Sequence, residues 1–448
     1  MSYSIHILCL LGGKVKEQNE RITNMKKVAL HNLGCKVNAY EMDAMQEMLE
    51  NNGYEIVPFR EGADIYIINT CTVTNMADRK SRQMIHRAKK MNPNAIVVAT
   101  GCYVQAQEQE GTVDECIDVL IGNNRKKDLI QILEEHTEKA VIDINHTKEY
   151  EYMHISKTGE HTRAYIKVQD GCNQFCTYCI IPFARGRVRS RDKEDVIREV
   201  TDLARNGYQE VVLTGIHLSS YGVDLENENL LSLILAVHEV EGIQRIRLGS
   251  LEPRIITEEF VKVISGLPKM CPHFHLSLQS GCNETLRRMN RRYTAEEYFE
   301  KCQLLRKYFE NPALTTDVIV GFPGETDEEF AESMAFVDKV NFYETHIFKY
   351  SKRQGTKAAE MKNQVPEQVK TVRSNEMLAL DEKKRKAYEK LWIGKDVEVL
   401  VEEEIQRDGM RLQVGHTKEY MKIAVETKED LQNRFITVQI GDLGQIIR

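Results

Sequence analysis

Cys172, Cys176 and Cys179 stand in the run Gly171-Cys172-Asn173-Gln174-Phe175-Cys176-Thr177-Tyr178-Cys179, with three and then two residues between them. Thiolates so closely spaced are metal ligands, and iron-sulfur cubes are held by cysteine. Three protein ligands leave one iron of a 4Fe-4S cube open to a small molecule, which is an arrangement for chemistry rather than for structure. Zinc is the competing occupant. A structural zinc site takes four ligands, and no Cys or His follows Cys179 until His217, so the spacing favours the cube.

Cys35, Cys71 and Cys102 are far apart in sequence but alike in context. From Lys26 to about residue 140, short apolar runs (Val28–Leu30, Ile65–Ile68, Ala95–Ala99) alternate with amphipathic ones such as Ala39–Leu49. That alternation predicts a small doubly wound α/β domain, its strands apolar throughout because helices cover both faces of a parallel sheet. Each of the three cysteines falls a few residues after a strand. Ligands gather at the carboxyl edge of such sheets, so these sulfurs are expected to converge on a second shared site, the plain alternative being small core residues. Cys9, Cys116, Cys271, Cys282 and Cys302 show no such pattern and are expected to be core or incidental.

A second βα series runs from Arg163 to about residue 350, with candidate strands Ala164–Val168, Glu210–Leu213, Arg245–Gly249, His273–Leu278, Leu314–Val320 and Thr345–Tyr350. Six repeats suggest a partial (βα)6 barrel, in which the loops at the carboxyl ends of the strands build the active site. The Cys172–Cys179 loop follows the first of these strands. After a charged helical stretch, Glu376–Leu391, the pattern turns to β at Val397–Val401, Arg411–Val414, Tyr420–Val425 and Arg434–Ile440, which fits a small C-terminal antiparallel β-barrel.

With 42% apolar and 29% charged residues, the 448-residue chain has the make-up of a globular protein of two or three domains. Eleven cysteines cannot all pair internally, and reduced thiols serving as ligands fit better than disulfides. No apolar run reaches the roughly 20 residues that span a bilayer, and Ile5–Leu11 lacks the flanks of a signal peptide, so a cytoplasmic protein without membrane contact is expected. The net charge of −7 argues against a uniformly basic surface, but local basic faces exist. Arg79–Lys90 carries six cations and no acid on a helical pattern, Arg185, Arg187, Arg189 and Arg191 follow the cysteine loop, and Lys383–Lys386 forms a third run.

The motif with its aromatic Tyr178 before the last cysteine resembles the radical S-adenosylmethionine (SAM) enzymes, in which SAM chelates the open iron and is cleaved reductively to a 5'-deoxyadenosyl radical. The whole layout resembles the methylthiotransferase family: possible extension 1–24, auxiliary-cluster domain 25–145, radical SAM core 155–380 and a TRAM-like RNA-binding domain 384–448. Asn32-Leu33-Gly34-Cys35-Lys36-Val37-Asn38, Val168-Gln169-Asp170-Gly171-Cys172 and Ile180-Ile181-Pro182-Phe183-Ala184-Arg185-Gly186 resemble the branch acting on threonylcarbamoyladenosine in tRNA. The resemblance implies two 4Fe-4S clusters, one on Cys172, Cys176 and Cys179 and one on Cys35, Cys71 and Cys102. It also implies SAM contacts from Tyr178, Thr214 and Gly215, Ser250 and Glu252, Gln279 and Ser280, and Asp317 and Gly321. Gly415-His416-Thr417 before Tyr420 resembles the TRAM core.

The implied reaction replaces an aromatic C–H at C2 of the modified adenosine beside the anticodon by C–SCH3. No side chain abstracts such a hydrogen, so the cofactor supplies the radical and the protein supplies orientation. Family members use SAM twice, once to methylate sulfur and once to make the radical. The expected partners are the tRNA anticodon stem-loop, whose bases can be splayed out and stacked, an electron donor such as flavodoxin or ferredoxin, and a sulfur source. Arg79–Lys90 and Arg185–Arg191 are the candidates for phosphate contacts. A methylthiotransferase acting on a ribosomal protein or on isopentenyladenosine is the nearest alternative, and a non-catalytic iron-sulfur RNA-binding or sensor protein is the alternative of another class.

Overall fold

The computed structural model describes residues 26–159, 162–407, 409–427 and 429–447. The expected extension 1–24, with Cys9, lies outside the described residues. The chain divides into two compact units, one made of residues up to Cys71 with Met76–Ile142, the other of Thr72–Asn75 with Asp143–Arg448.

The first unit is a doubly wound α/β domain, as its pattern predicts. In chain order it contains β1 (Lys27–Asn32), α1 (Lys36–Asn51), β2 (Glu55–Val57), β3 (Ile65–Thr70), α2 (Asn75–Met91), β4 (Ile96–Gly101), α3 (Cys102–Glu110), β5 (Val119–Ile121), α4 (Leu129–Glu134) and β6 (Lys139–Ala140). All six strands are parallel, in the order β2-β1-β3-β4-β5-β6. Every residue of β3 is buried, which is why its first four residues, Ile65–Ile68, are apolar in succession rather than alternating. The strand order reverses between β1 and β3, the switch point at which ligands bind in such sheets.

The second unit begins with β7 (Ala164–Asp170), α5 (Ile181–Ala184), β8 (Arg189–Ser190), α6 (Lys193–Arg205), β9 (Glu210–Gly215), α7 (Leu230–His238), β10 (Arg245–Leu248), α8 (Glu258–Ser265), β11 (His273–His275), α9 (Asn283–Arg288), α10 (Ala295–Tyr308), β12 (Ala313–Val320), α11 (Asp327–Val340), β13 (Glu344–Lys349), α12 (Lys357–Glu360) and α13 (Glu367–Lys390). Strands β7, β9 and β10 form one parallel ladder and β11, β12 and β13 another, and the parallel bridge Leu251–Leu276 connects them. The result is the open six-stranded (βα)6 barrel. Thr294 and Thr326 start α10 and α11 with capping boxes closed by Glu297 and Glu329, fixing where two of the outer helices begin.

Five further strands complete the unit: β14 (Asp396–Arg407), β15 (Met410–Thr417), β16 (Lys422–Glu426), β17 (Phe435–Gln439) and β18 (Ile446–Ile447), antiparallel in the order β17-β14-β15-β16-β18. A register shift between Val401 and Glu403 bends β14, whose Asp396–Leu400 pairs with β17 and whose Val399–Arg407 pairs with β15. Val397, Val399, Met421, Ile423 and Ile440 fill the interior together with Trp392. Among the described residues no helix is long and apolar enough to cross a membrane.

Candidate active site

Asp170, the last residue of β7, is buried and organises the turn into the cysteine loop. Its Oδ1 accepts the Gly171 N–H at 2.8 Å, and its carboxylate pairs with Lys167 at 2.7 Å and Arg185 at 3.1 Å, with Arg189 at 3.8 Å. Gly171 takes φ +70°, and a Cβ there would stand 1.8 Å from the Arg187 carbonyl oxygen, so the turn admits glycine only. Arg185, Arg189 and Arg191 are fully buried, Arg191 between Asp195 and Glu199. These three arginines therefore make no phosphate contact, contrary to expectation: buried carboxylates on β7 and α6 take up their charge. Arg187 alone of the run is partly exposed, and it lies over the Phe175 ring at 4.6 Å.

The segment after α9 clamps the loop from the other side. Thr177 donates from its hydroxyl to the Arg288 carbonyl at 2.8 Å and from its N–H to the Met289 carbonyl at 3.0 Å, while the Asn290 amide donates to the Phe175 carbonyl at 3.0 Å. Phe175 itself sits at φ +51°, a conformation kept only because its surroundings impose it. Arg291 Nη1 donates to Cys176 Sγ at 3.3 Å. Sequence reasoning missed Asn290 and Arg291; they stand in a run of exposed-looking cations, Arg287 to Arg292, that carries no local signal.

Cys172 and Cys179 both feel the neighbouring Cys176. Burial, reinforced by the neighbouring Cys176, pushes the Cys172 thiol up to about 11 and Cys179 higher, although N–H groups of Gln174 and Ile181 point at these sulfurs and oppose the rise. Cys172 and Cys179 therefore resist ionising, and a bound metal centre reverses this by taking them as thiolates. Soft donors held together, with backbone N–H groups aimed at sulfur, fit an iron-sulfur cube.

Cys179 borders a cavity of about 260 Å³ at the carboxyl ends of the barrel strands, lined also by Tyr178, Ile180, Ile181, Gln279, Asp317, Ile319, Phe348 and Tyr350. Tyr178, Gln279 and Asp317 are the expected SAM-side residues that meet here. Gln279 holds φ +73° while its backbone bonds Asp317 at 2.8 Å and Ile319 at 2.9 Å, joining the end of the fourth barrel strand to β12. Asp317 lies 3.2 Å from His275 Nε2. The other expected residues stand off this cavity. Thr214 is buried and Gly215 packs on Gln169 at the end of β9; Ser250 is exposed; Glu252 pairs with Arg254 at 2.7 Å; the Ser280 hydroxyl accepts the Cys282 N–H at 3.2 Å; the Gly321 N–H reaches Glu325 at 2.8 Å. His217 was also missed: burial, then Arg291 and Arg254, hold its imidazole neutral by lowering its pKa to about 4, and its Nδ1 meets Ser220 Oγ at 2.7 Å.

In the first unit Cys35, Cys71 and Cys102 follow the carboxyl ends of β1, β3 and β4, which are adjacent in the sheet. Asn32 is the register partner of Asn69, and Thr70 of Gly101, so the strands end side by side. A Cβ on Gly34 would lie 3.3 Å from Cys71 Sγ, and the Asn123 amide, tied to buried Lys126 at 2.7 Å, donates to Cys102 Sγ at 3.8 Å. Cys271, Cys282 and Cys302 are buried as core residues. On α2, Ser81, Ile85 and Ala88 face inward at helical spacing, leaving Arg79, Lys80, Arg82, Arg87 and Lys90 exposed; Lys89 pairs with Asp118 at 2.8 Å.

Residues 166–337 match the radical SAM superfamily, and residues 27–122 match the uncharacterized protein family UPF0004. The threonylcarbamoyladenosine tRNA methylthiotransferase MtaB of Bacillus subtilis is 41% identical over 94% of this chain and 95% of its own length. The protein of the same name from Aquifex aeolicus is 44% identical over 84% of this chain and 93% of its own. The chain belongs to the radical SAM methylthiotransferase family. A tRNA-2-methylthio-N(6)-dimethylallyladenosine synthase from Thermoanaerobacter pseudethanolicus is 36% identical over 93% of this chain and 92% of its own. Among solved structures, the radical SAM methyltransferase TsrM of Kitasatospora setae has a TM-score of 0.55 over 75% of this chain and 77% of that one, at 16% identity, a likeness of fold alone. Membership in this family brings a 4Fe-4S cluster and SAM as cofactors.

Proposed function

We propose that this chain is a tRNA methylthiotransferase that places a methylthio group on C2 of N6-threonylcarbamoyladenosine beside the anticodon, giving 2-methylthio-N6-threonylcarbamoyladenosine. The observation that carries the substrate is the 41–44% identity, over nearly the full length of each relative, to enzymes named for that nucleoside, against 36% to a relative named for dimethylallyladenosine.

In this reading Cys172, Cys176 and Cys179 hold the SAM-cleaving cluster, and Cys35, Cys71 and Cys102 hold an auxiliary cluster that handles sulfur. A reduced cluster held by these three cysteines would supply the one-electron chemistry by which SAM is used to activate the C–H bond of the base. The chain's own residues orient the partners. Tyr178, Gln279 and Asp317 line the cavity beside Cys179 and take up SAM; Thr214, Gly215, Ser250, Glu252, Ser280 and Gly321, which do not line it, are the further contacts that the family resemblance implies. Apolar Ile180, Ile319 and Phe348 also line the cavity. His217, kept neutral, stays a single-proton donor or acceptor close to Arg291 and Arg254. Residues 384–448 and the exposed cations of α2 contact the tRNA, and the reductant is a low-potential carrier of the flavodoxin or ferredoxin kind. A cytoplasmic site of action accords with that substrate.

The test is mass spectrometry of total tRNA nucleosides from cells with the gene deleted and then restored. Loss and recovery of 2-methylthio-N6-threonylcarbamoyladenosine is the expected result. Loss of a methylthio isopentenyladenosine product in its place would move the substrate to the other branch.

A further inference from the structure

We propose that Arg291 is a positioning residue for the iron centre of the Cys172–Cys179 loop: its guanidinium, fixed by Tyr293 and Ser277, donates to Cys176 Sγ and thereby raises the reduction potential of that centre. The inference rests on Cys176 being a cluster ligand, as read above.

The guanidinium is held on three sides. Its Nε donates to Tyr293 Oη at 2.9 Å, its Nη2 to the Ser277 carbonyl at 3.3 Å and its Nη1 to Cys176 Sγ at 3.3 Å, with the carbon of the fork 4.9 Å from the Tyr293 ring. Tyr293 is itself locked, its one hydroxyl proton shared between the carbonyls of Ser277 at 2.6 Å and Leu278 at 2.9 Å. Asn290, at φ +61°, turns the chain out of α9 so that Arg291 comes under the loop rather than out to solvent. An arginine needed only to fasten the loop would add little, because Thr177 and Asn290 already fasten it through three backbone carbonyls at 2.8 to 3.0 Å. Of the three groups that Arg291 meets, Cys176 is the one in the loop, and it receives a charged donor on its sulfur.

A fixed cation donating a hydrogen bond to a ligand sulfur stabilises whichever state of the cluster carries more negative charge. Reduction adds one electron, delivered by a low-potential reductant; no bond breaks and no proton moves. The reduced state gains more from the guanidinium, so the potential rises and reduction of the centre needs a less extreme donor. Partners at this remove from the metal tune it through its ligands.

The experiment is an EPR-monitored redox titration of the anaerobically reconstituted full chain, without SAM, carrying Cys35→Ala, Cys71→Ala and Cys102→Ala so that one cluster remains. Retained iron and a reducible 4Fe-4S signal in this background are expected; their loss would overturn the ligand assignment and the Arg291 role with it. On this background R291Q should keep its iron and titrate at a potential lower by about 59 mV, a tenfold change for one electron, with R291K falling less. In the otherwise unaltered chain the same substitution should move only one of two titrating components. An unchanged midpoint in R291Q with iron intact overturns the proposal, including when SAM binding weakens, since Arg291 would then be a SAM contact alone. If R291Q retains no iron, R291M, equally uncharged and close to arginine in length, decides, and an unchanged midpoint there is equally fatal. None of these readouts depends on tRNA, so a wrong substrate assignment would leave them as they are.

Discussion

Asp170 concentrates the physics of the site in one carboxylate. It is buried, it terminates the first barrel strand, and it holds both the Gly171 N–H and the charges of Lys167 and Arg185. Taking the charge away while leaving the shape strands buried cations, which typically costs about 3 kcal/mol or more. Asp170→Asn should therefore lower unfolding free energy by about that amount in a urea titration and reduce the iron retained after reconstitution, because the same carboxylate sets the turn. Gly171→Ala meets the Arg187 carbonyl at 1.8 Å in a left-handed conformation. It should abolish cluster binding even if the rest of the chain folds, as read by iron content against circular dichroism.

At the scale of elements, α2 is the surface on which the tRNA reading can be tested without touching the chemistry. Its buried stripe, Ser81, Ile85 and Ala88, is narrow, and Arg79, Lys80, Arg87 and Lys90 point away from it. Converting Arg79, Arg87 and Lys90 to Glu should weaken tRNA binding at least tenfold in a filter or anisotropy assay and flatten its salt dependence, with SAM cleavage by the reduced protein unchanged. Unaltered affinity would move the tRNA face elsewhere. The contrast between this helix and Arg185–Arg191 marks where sequence reading stops. Both are acid-free runs of cations, but the partners that neutralise the second, Asp170, Asp195 and Glu199, sit on different elements and come together only in the fold. Element type was legible because periodicity is local: all six barrel strands fall where the pattern puts them. Their ends were less so. The fourth is a ladder strand only over His273–His275; beyond it the pairing continues as the isolated bridges Leu251–Leu276 and Gln279–Val318, with Gln279 at φ +73°. Strands β5 and β6, three and two residues long, are too short to show a period at all. The cysteines of the first unit were legible as a group only through the topology that places β1, β3 and β4 side by side.

At the scale of the molecule, the C-terminal sheet is fastened to the barrel through residues roughly 170 positions apart, a pairing that no local pattern announces. Arg245 donates to the His416 carbonyl at 3.0 Å and Arg247 to those of Thr417 and Lys418 at 3.1 and 2.9 Å, while Tyr420 stacks between His273 and His416 at 4.6 and 4.7 Å. Glu210, fully buried, meets Arg247 at 2.9 Å and Arg245 at 3.6 Å. Burial opposes its charge, but Arg247, Arg163 and Arg245 outweigh burial and hold its carboxyl below the ordinary 4.5. Glu402, against His416 and Arg163, is lowered in the same way. The folded chain thus binds these protons less readily than the unfolded chain, and the stability they contribute is present above about pH 4.5 and lost as pH falls through the folded values. His416 adds to the same trend from higher pH: burial lowers its pKa from 6.5, so the unfolded chain protonates first and stability declines below that value. The chain's one tryptophan, Trp392, packs into the core of the sheet and reports on it directly. Its fluorescence in urea titrations should therefore show a sheet that weakens steadily from pH 7 to pH 4. Glu210→Gln should cost about 3 kcal/mol at pH 7, since it leaves buried guanidiniums uncompensated, and should flatten the part of the decline below pH 4.5 while sparing the part due to His416. A Glu210→Gln chain whose stability falls with pH as steeply as the parent would remove Glu210 from the junction and leave the acid sensitivity to Glu402 and His416.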